Sequence, residues 1–281
     1  MKVTRRDILA GGAALATALA LAPFAGALAA QGTRPIGLQL YTIRDLFAAD
    51  PNGTLGKVAE IGYREVEYGG GGYDKMDHAA LRKTMERLGL TSPSIHVGYE
   101  ALASDFDGAV AMTKALGADT LVVPYMGEAH RSAEGWKAAV ADFNRYAERL
   151  KKAGLGFAYH NHDFEFTLKP GGTSLFDTLI ADADPALVRL ELDLFWAVAA
   201  GEDPKAIIKR LPGRIYAYHV KDRTADGKMT SVGKGVIDFA DIFTLNAVAG
   251  VKHFYVENDQ SPAPYLPDIT ASFSALSRLR A

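Results

Sequence analysis

The stretch Tyr159-His160-Asn161-His162-Asp163-Phe164-Glu165-Phe166 sets two imidazoles, two carboxylates and an amide within six positions. It follows the apolar run Leu155-Gly156-Phe157-Ala158, which reads as a buried strand. Three later apolar runs also end in a metal-competent side chain: Leu192-Asp193, Tyr218-His219 and Val256-Glu257. Carboxylates and an imidazole arriving from separate strand ends suit one divalent cation, Mn²⁺, Mg²⁺ or Zn²⁺. Such an ion holds a carbonyl oxygen and stabilises the charge left when a neighbouring proton departs. His160 and His162 lie two apart and so share a strand face. An imidazole titrates near neutrality, which suits proton transfer. His162 is nearer the open end, with Asp163 and Glu165 close by, so it is the expected proton-transfer residue, its ring oriented by a carboxylate. His160 is expected in or beside the metal shell. Lys221 is placed to neutralise an enolate or to pair with Glu257. Glu191 is expected to face away from Asp193 and to serve the structure.

These residues need a scaffold that brings many strand ends together. From residue 36 onward the chain alternates short apolar runs with amphipathic ones. Strands are expected at residues 36–41, 63–68, 94–97, 120–124, 155–160, 188–193, 214–219 and 253–257. Helices are expected at 54–61, 77–88, 106–116, 133–153, 174–181, 204–210, 239–248 and 269–279. In the second of these, Leu81, Met85 and Leu88 recur four and three apart, and Gly89 stops the helix. Parallel neighbours need helical crossovers, so eight alternations imply a parallel sheet. Closed on itself, it is an α/β fold, a single (β/α)₈ TIM barrel. An open doubly wound sheet would want a glycine-rich phosphate turn after the first strand, and none follows Tyr41. In a barrel the chemistry sits at the C-terminal strand ends. The polar residues there are Gln39, Tyr41, Glu65, Glu67, His96, Tyr125 and those already named. The four glycines at 69–72 read equally as a surface turn or a ligand-contacting loop. Ser231-Val232-Gly233-Lys234-Gly235 follows the seventh strand, where barrels often bind phosphate; it is read instead as a loop over the mouth.

The 281 residues carry a net charge of −2 and no long basic run, so nothing favours nucleic acid. There is no cysteine, which excludes disulfides and thiolate metal sites. Residues 1–30 differ from the rest. Arg5-Arg6 precedes an Ala/Leu/Gly run that ends in small residues, the pattern of an export signal of twin-arginine type. The run is short and weakly apolar for a membrane span. The expected product is periplasmic, cut after Ala29 or Ala30, with residues 31–281 forming the barrel and the twin-arginine machinery as export partner.

Five motifs together resemble the sugar isomerase/epimerase superfamily, the xylose-isomerase-like TIM barrels. They are Gly37-Leu38-Gln39-Leu40-Tyr41-Thr42-Ile43-Arg44-Asp45, residues 159–166, Leu192-Asp193-Leu194-Phe195-Trp196, His219-Val220-Lys221-Asp222 and Val256-Glu257-Asn258-Asp259. The resemblance runs from about Ile36 to the C-terminus. It implies one divalent metal held by Glu, Asp, His and Glu from strands five to eight. Asp193, His219 and Glu257 match the last three. The family's strand-five glutamate falls near His160 here; Glu165 is the expected replacement, with His160 the alternative. Ketose 3-epimerases carry a substrate-binding histidine three residues after the aspartate. Trp196 stands there instead, expected to wall the site. The expected metal set is therefore Glu165, Asp193, His219 and Glu257. The expected catalytic groups are His162, Glu165, Glu257 and Lys221, with Gln39, Tyr41, His96, His160 and Trp196 contacting substrate.

The resemblance implies a metal-dependent enzyme acting on a sugar or keto-sugar. Proton return to the other face gives epimerisation, and to the adjacent carbon isomerisation. Expulsion of a β-substituent gives a lyase or dehydratase acting on 3-keto-glycosides. A non-catalytic periplasmic sugar-binding barrel would not need metal-ligand types at four successive strand ends. An enzyme like endonuclease IV would need three zinc ions, more histidines and a basic groove. Oligomeric state is left open.

Overall fold

A short buried strand followed by a helix returns the chain to the same edge, so successive strands run parallel. The computed structural model describes residues 34–279; the export signal expected at 1–30 lies outside them. The barrel strands are β1 (Gly37–Gln39), β2 (Glu65–Glu67), β3 (Ser94–His96), β4 (Thr120–Val123), β5 (Gly156–His160), β6 (Val188–Asp193), β7 (Ile215–Val220) and β8 (His253–Val256). Their order is β2-β1-β8-β7-β6-β5-β4-β3, every pair parallel. Single bridges, Glu65 to Thr91 and Tyr68 to Ile95, link β2 toward β3. The sheet is a nearly closed TIM barrel, as expected from the eightfold alternation.

Side-chain caps start the helices where the strands end. Asp50, Asp77, Asp105, Ser132 and Ser174 each accept an amide of the first helical turn. Gly89 and Gly117 then end two helices in the left-handed conformation. The long helix Ala133–Lys152 buries Trp136, Val140, Phe143 and Leu150 against the barrel. Besides Arg44–Ala49 and the turn Phe164–Thr167, two further short helices were not expected, Tyr99–Ser104 and Leu194–Ala199. Neither is long enough to show a period of its own. The second begins directly on Asp193, whose carboxylate caps it.

The strands' two faces differ in kind. Outward residues such as Leu38, Val66, Leu121, Phe157, Tyr159, Leu190, Leu192 and Tyr218 join the helices in one apolar core. Inside, only Val122, Ala158, Tyr216, Ala217 and Tyr255 form a small apolar cluster. Gln39, Glu67, Ser94, His160, Glu191, Asp193, His219 and Lys221 are all buried as well. Barrel interiors are usually filled by branched aliphatics. Buried charge is costly unless paired, so this polar group is where function is to be sought.

Candidate metal centre

Strand register brings the ligand types level. Asp193 pairs with His219, His160 with Glu191, and His219 with Tyr255. Two overlapping sets of potential donor atoms result, each set lying within 4.8 Å: Asp193, His219 and Glu257, and His96, His160, Glu191 and His219. His219 joins them. Its Nδ1 lies 2.6 Å from Glu257 Oε2. Its Nε2 lies 2.8 Å from Glu67 Oε2 and 2.9 Å from Glu191 Oε1. His96 Nε2 lies 2.8 Å from Glu191 and 3.0 Å from Glu67. His160 Nδ1 is 3.1 Å from Glu191 Oε1, and its Nε2 is 3.7 Å from Asp193 Oδ2.

Lys221 fills the outer side. Its Nζ lies 2.7 Å from Glu257, 3.0 Å from Asp193 and 2.9 Å from Asp259. Asp193 does two things at once: Oδ1 accepts the Trp196 amide at 2.9 Å, while Oδ2 faces the centre.

The electrostatics follow from crowded acids. Burial pulls the His96 pKa down, but Glu67 and Glu191 outweigh it and carry it up to about 9. His219 is likewise driven up, against its burial, by Glu191 and Glu257. Burial raises Glu257, but Lys221 and His219 hold it well below the carboxylate range. Burial, then Glu257, lifts Asp259 to about 6. His160 is pushed down by burial and by His219. The crowded carboxylates thus favour the charged form of His96 and His219. Glu191 Oε2 is buried without a hydrogen-bond partner, while Asp193 Oδ2, also buried, is ion-paired with the Lys221 ammonium 3.0 Å away. Carboxylate oxygens beside imidazoles are the donor set a divalent cation takes, so the residues fit one.

Four expectations are corrected. Glu165 is not brought to the cluster. Its Oε1 accepts from the Tyr159 hydroxyl at 2.6 Å and its Oε2 from the His162 amide at 2.8 Å. Tyr159 alternates outward from His160, and the helical turn Phe164–Thr167 swings Glu165 to that outer side. His160 is the strand-five side chain at the centre. No carboxylate orients the His162 ring, because Glu165 bonds its backbone instead. The ring sits among Tyr125, Trp196 and Phe164, with centroids at 5.2, 5.3 and 6.0 Å, and its Nδ1 is buried and unpartnered. Glu191 faces the same way as Asp193, since residues two apart on a strand share a face. Gln39 is no substrate contact: it is fully buried, donating to Glu67 at 2.8 Å and accepting from the Tyr41 amide.

The other residues lie at the mouth. Tyr41, His96, His160, His162, Lys221 and Glu257 line one cavity of about 510 Å³. The Trp196 ring stands 5.8 Å from the Lys221 Nζ, and its Nε1 is buried and unpartnered. The loop after β7 spends its amides on protein. Gly233 and Gly235 both donate to the buried Asp222 carboxylate, so those amides are not free for a phosphate.

The sequence profile of the xylose isomerase-like TIM barrel matches residues 55–250. The chain belongs to that family. A sugar phosphate isomerase/epimerase from Parabacteroides distasonis is 25% identical, with a TM-score of 0.76 over 88% of this chain and 100% of that one. An L-ribulose 3-epimerase, 17% identical with a TM-score of 0.69, covers 88% of this chain and 94% of its own and shares the fold. Among curated relatives, an inosose dehydratase of Clostridium beijerinckii is 29% identical over 158 residues, 49% of this chain and 51% of that protein. One of Bacillus anthracis is 29% identical over 149 residues, 46% and 49%. The chain thus spans about half the length of the curated relatives it matches.

Family members in the comparison are isomerases, epimerases and dehydratases, and the buried His/Glu cluster is consistent with a divalent metal. Two members of the cluster were given no part in it from sequence: Glu67 was named only among the polar strand-end residues, and Glu191 was expected to face away. A signal was present. Glu65-Val66-Glu67 and Glu191-Leu192-Asp193 each carry two acids two apart on a buried strand. Acids in that pattern must share the interior face.

Proposed function

We propose that the protein is a divalent-metal-dependent enzyme that acts on a sugar or keto-sugar by removing the proton next to a carbonyl. The observation that carries this reading is the buried set Asp193, His219 and Glu257 with His160 beside it, and an unpartnered carboxylate oxygen, Glu191 Oε2, next to them. A divalent cation held there would bind the carbonyl and adjacent hydroxyl oxygens and stabilise the enediolate charge.

The chain's own groups supply the rest. Glu67 and Glu191 fix the His219 ring from below, as carboxylates behind metal-binding imidazoles do. Lys221 sets a positive charge beside the same oxygens. His162 holds and passes the proton at its free Nδ1. Burial, then Lys221, lowers its pKa to about 3, so the ring is neutral at neutral pH and a weak base in the resting site. Negative charge developing on a substrate beside it raises its proton affinity during the step. Trp196 offers its Nε1–H to a hydroxyl.

Return of the proton gives epimerisation or isomerisation. A second reading, dehydration of a keto-substrate, is supported by the curated inosose dehydratases and by Trp196 standing where the 3-epimerases carry a histidine. We also propose export to the periplasm, supported by Arg5-Arg6 and the alanine-rich run behind them.

The experiment is elemental analysis of the purified protein, then incubation with keto-sugars and inosose in D₂O followed by NMR. Solvent deuterium at the carbon beside the carbonyl supports the first reading. Loss of water supports the second. Absence of both bound metal and exchange refutes the proposal.

A further inference from the structure

The cavity has two unlike halves. One carries the chemistry: His160, His162, Lys221 and Glu257. The other is bounded by Tyr41 after β1 and Tyr125 after β4, with Gly69, Gly70 and Gly98 between them. The tyrosines are 39% and 47% exposed, whereas His160, Lys221 and Glu257 in the other half are buried. Each ring is braced from its own side of the barrel. Arg44 stands 4.2 Å from the Tyr41 centroid and donates to the Tyr41 carbonyl. Arg131 stands 4.9 Å from the Tyr125 centroid and 3.6 Å from that of Phe164, and donates to the Met126 carbonyl.

Gly69, Gly70 and Gly98 leave much of the wall between the rings bare, with His96 and Pro124 beside them, and the packing requires glycine at two points. A Cβ on Gly70, whose φ is +69°, would lie 2.7 Å from the Tyr41 ring. One on Gly69 would lie 2.6 Å from Gln39 Oε1. At Gly98 a Cβ would meet nothing within 4 Å, so that space is open. The result is a largely bare strip of peptide, flanked by His96 and Pro124, between two braced aromatic rings. A six-membered ring with apolar faces and hydroxyl edges suits it, its faces against the tyrosines and its edges toward peptide groups. The volume of about 510 Å³ exceeds what one sugar ring in the catalytic half would fill.

Building on the sugar-enzyme reading above, we infer that the substrate is a glycoside with a second ring, which lies on the glycine strip between Tyr41 and Tyr125 while the first ring reaches His162. A free monosaccharide leaves that half of the cavity empty.

The test compares kcat/KM on paired substrates with the metal-reconstituted protein. Each pair is a monosaccharide and the disaccharide and phenyl glycoside built from it, in native and 3-keto forms. The expected ratio of two-ring to one-ring kcat/KM is at least about tenfold. Tyr41→Ala and Tyr125→Ala should each lower that ratio by about 2- to 10-fold, the usual range for one aromatic contact. Gly98→Leu should collapse it toward one by filling the open space; the Gly98 backbone, with φ −58°, is one that any residue adopts. The disaccharide and phenyl arms tell a sugar ring from an aromatic one. A wild-type ratio near one, with monosaccharides turned over, overturns this inference alone. So does a ratio that none of the three variants moves while all melt as the wild type does. No metal-dependent turnover on any member of the panel overturns the sugar-enzyme reading and this inference with it.

Discussion

Replacing Lys221 by methionine tests the electrostatic logic of the centre most directly. The side chain is 1% exposed, and its ammonium lies within 3.0 Å of three carboxylates, Asp193, Glu257 and Asp259. Methionine keeps most of the packed volume and removes the charge. Removing one partner of a buried ion pair costs about 3–5 kcal/mol, because the other charge is left uncompensated. In a barrel of this size that lowers the melting temperature by about 2–4 °C per kcal/mol, so a fall near 10 °C is expected without metal. A divalent cation supplies the missing positive charge to Asp193 and Glu257. Saturating Mn²⁺ should therefore recover more of the melting temperature in Lys221→Met than it adds to the wild type. The assay is thermal unfolding of both proteins after chelation and again at saturating metal. Two results would refute the reasoning: a metal-free loss under about 1 kcal/mol, the range of an exposed pair, or equal metal stabilisation of both proteins.

His162→Ala should lower turnover by about 10²–10⁴-fold, the usual loss of a positioned acid or base, with metal content unchanged. His160→Ala should instead lower bound metal, read by elemental analysis; parallel loss of metal in His162→Ala would make that residue a ligand. Burial lifts the Glu165 carboxyl to about 8, so the folded state keeps a proton that the unfolded chain releases near pH 4–5. Stability must then fall as pH rises from about 5 to 8, by something on the order of 4 kcal/mol, and level off above. Denaturant titrations of Glu165→Gln should lack that slope; an identical slope in both proteins would assign it elsewhere. Replacing Arg5 and Arg6 by lysine should retain the protein in the cytoplasm, and unchanged periplasmic recovery would point to another route.

The barrel was legible because its signal is repeated eight times. Each strand is a short apolar run, and the helices carry aspartate or serine starts and several glycine stops. The helix Leu194–Ala199 was not legible. Its start is marked only by Asp193, which was expected to be a metal ligand, and the carboxylate caps the helix with Oδ1 while Oδ2 faces the centre. Glu165 misled for a related reason. The sequence places it three residues beyond His162, but strand alternation stops predicting direction once the chain turns into Phe164–Thr167. A carboxylate just past a strand end belongs to whichever face the next turn selects.

Glu67 and Glu191 were hidden by the question being asked. A search for ligands at strand ends looks for one donor per strand, and both acids lie where a second donor is not required. His219 shows why they are needed. One imidazole can offer a cation only one of its two nitrogens. If Nδ1 serves the side of Asp193 and Glu257, Nε2 must donate its proton to something buried, and Glu67 and Glu191 stand 2.8 and 2.9 Å away. Gln39 and Ser94 in turn bond Glu67, and His96 bridges it to Glu191. The polar interior is thus two tiers sharing one ring. The outer tier, Asp193, His219 and Glu257 with Lys221 against it, is consistent with a divalent cation. The inner tier fixes the tautomer and angle of the ring that the cation would meet.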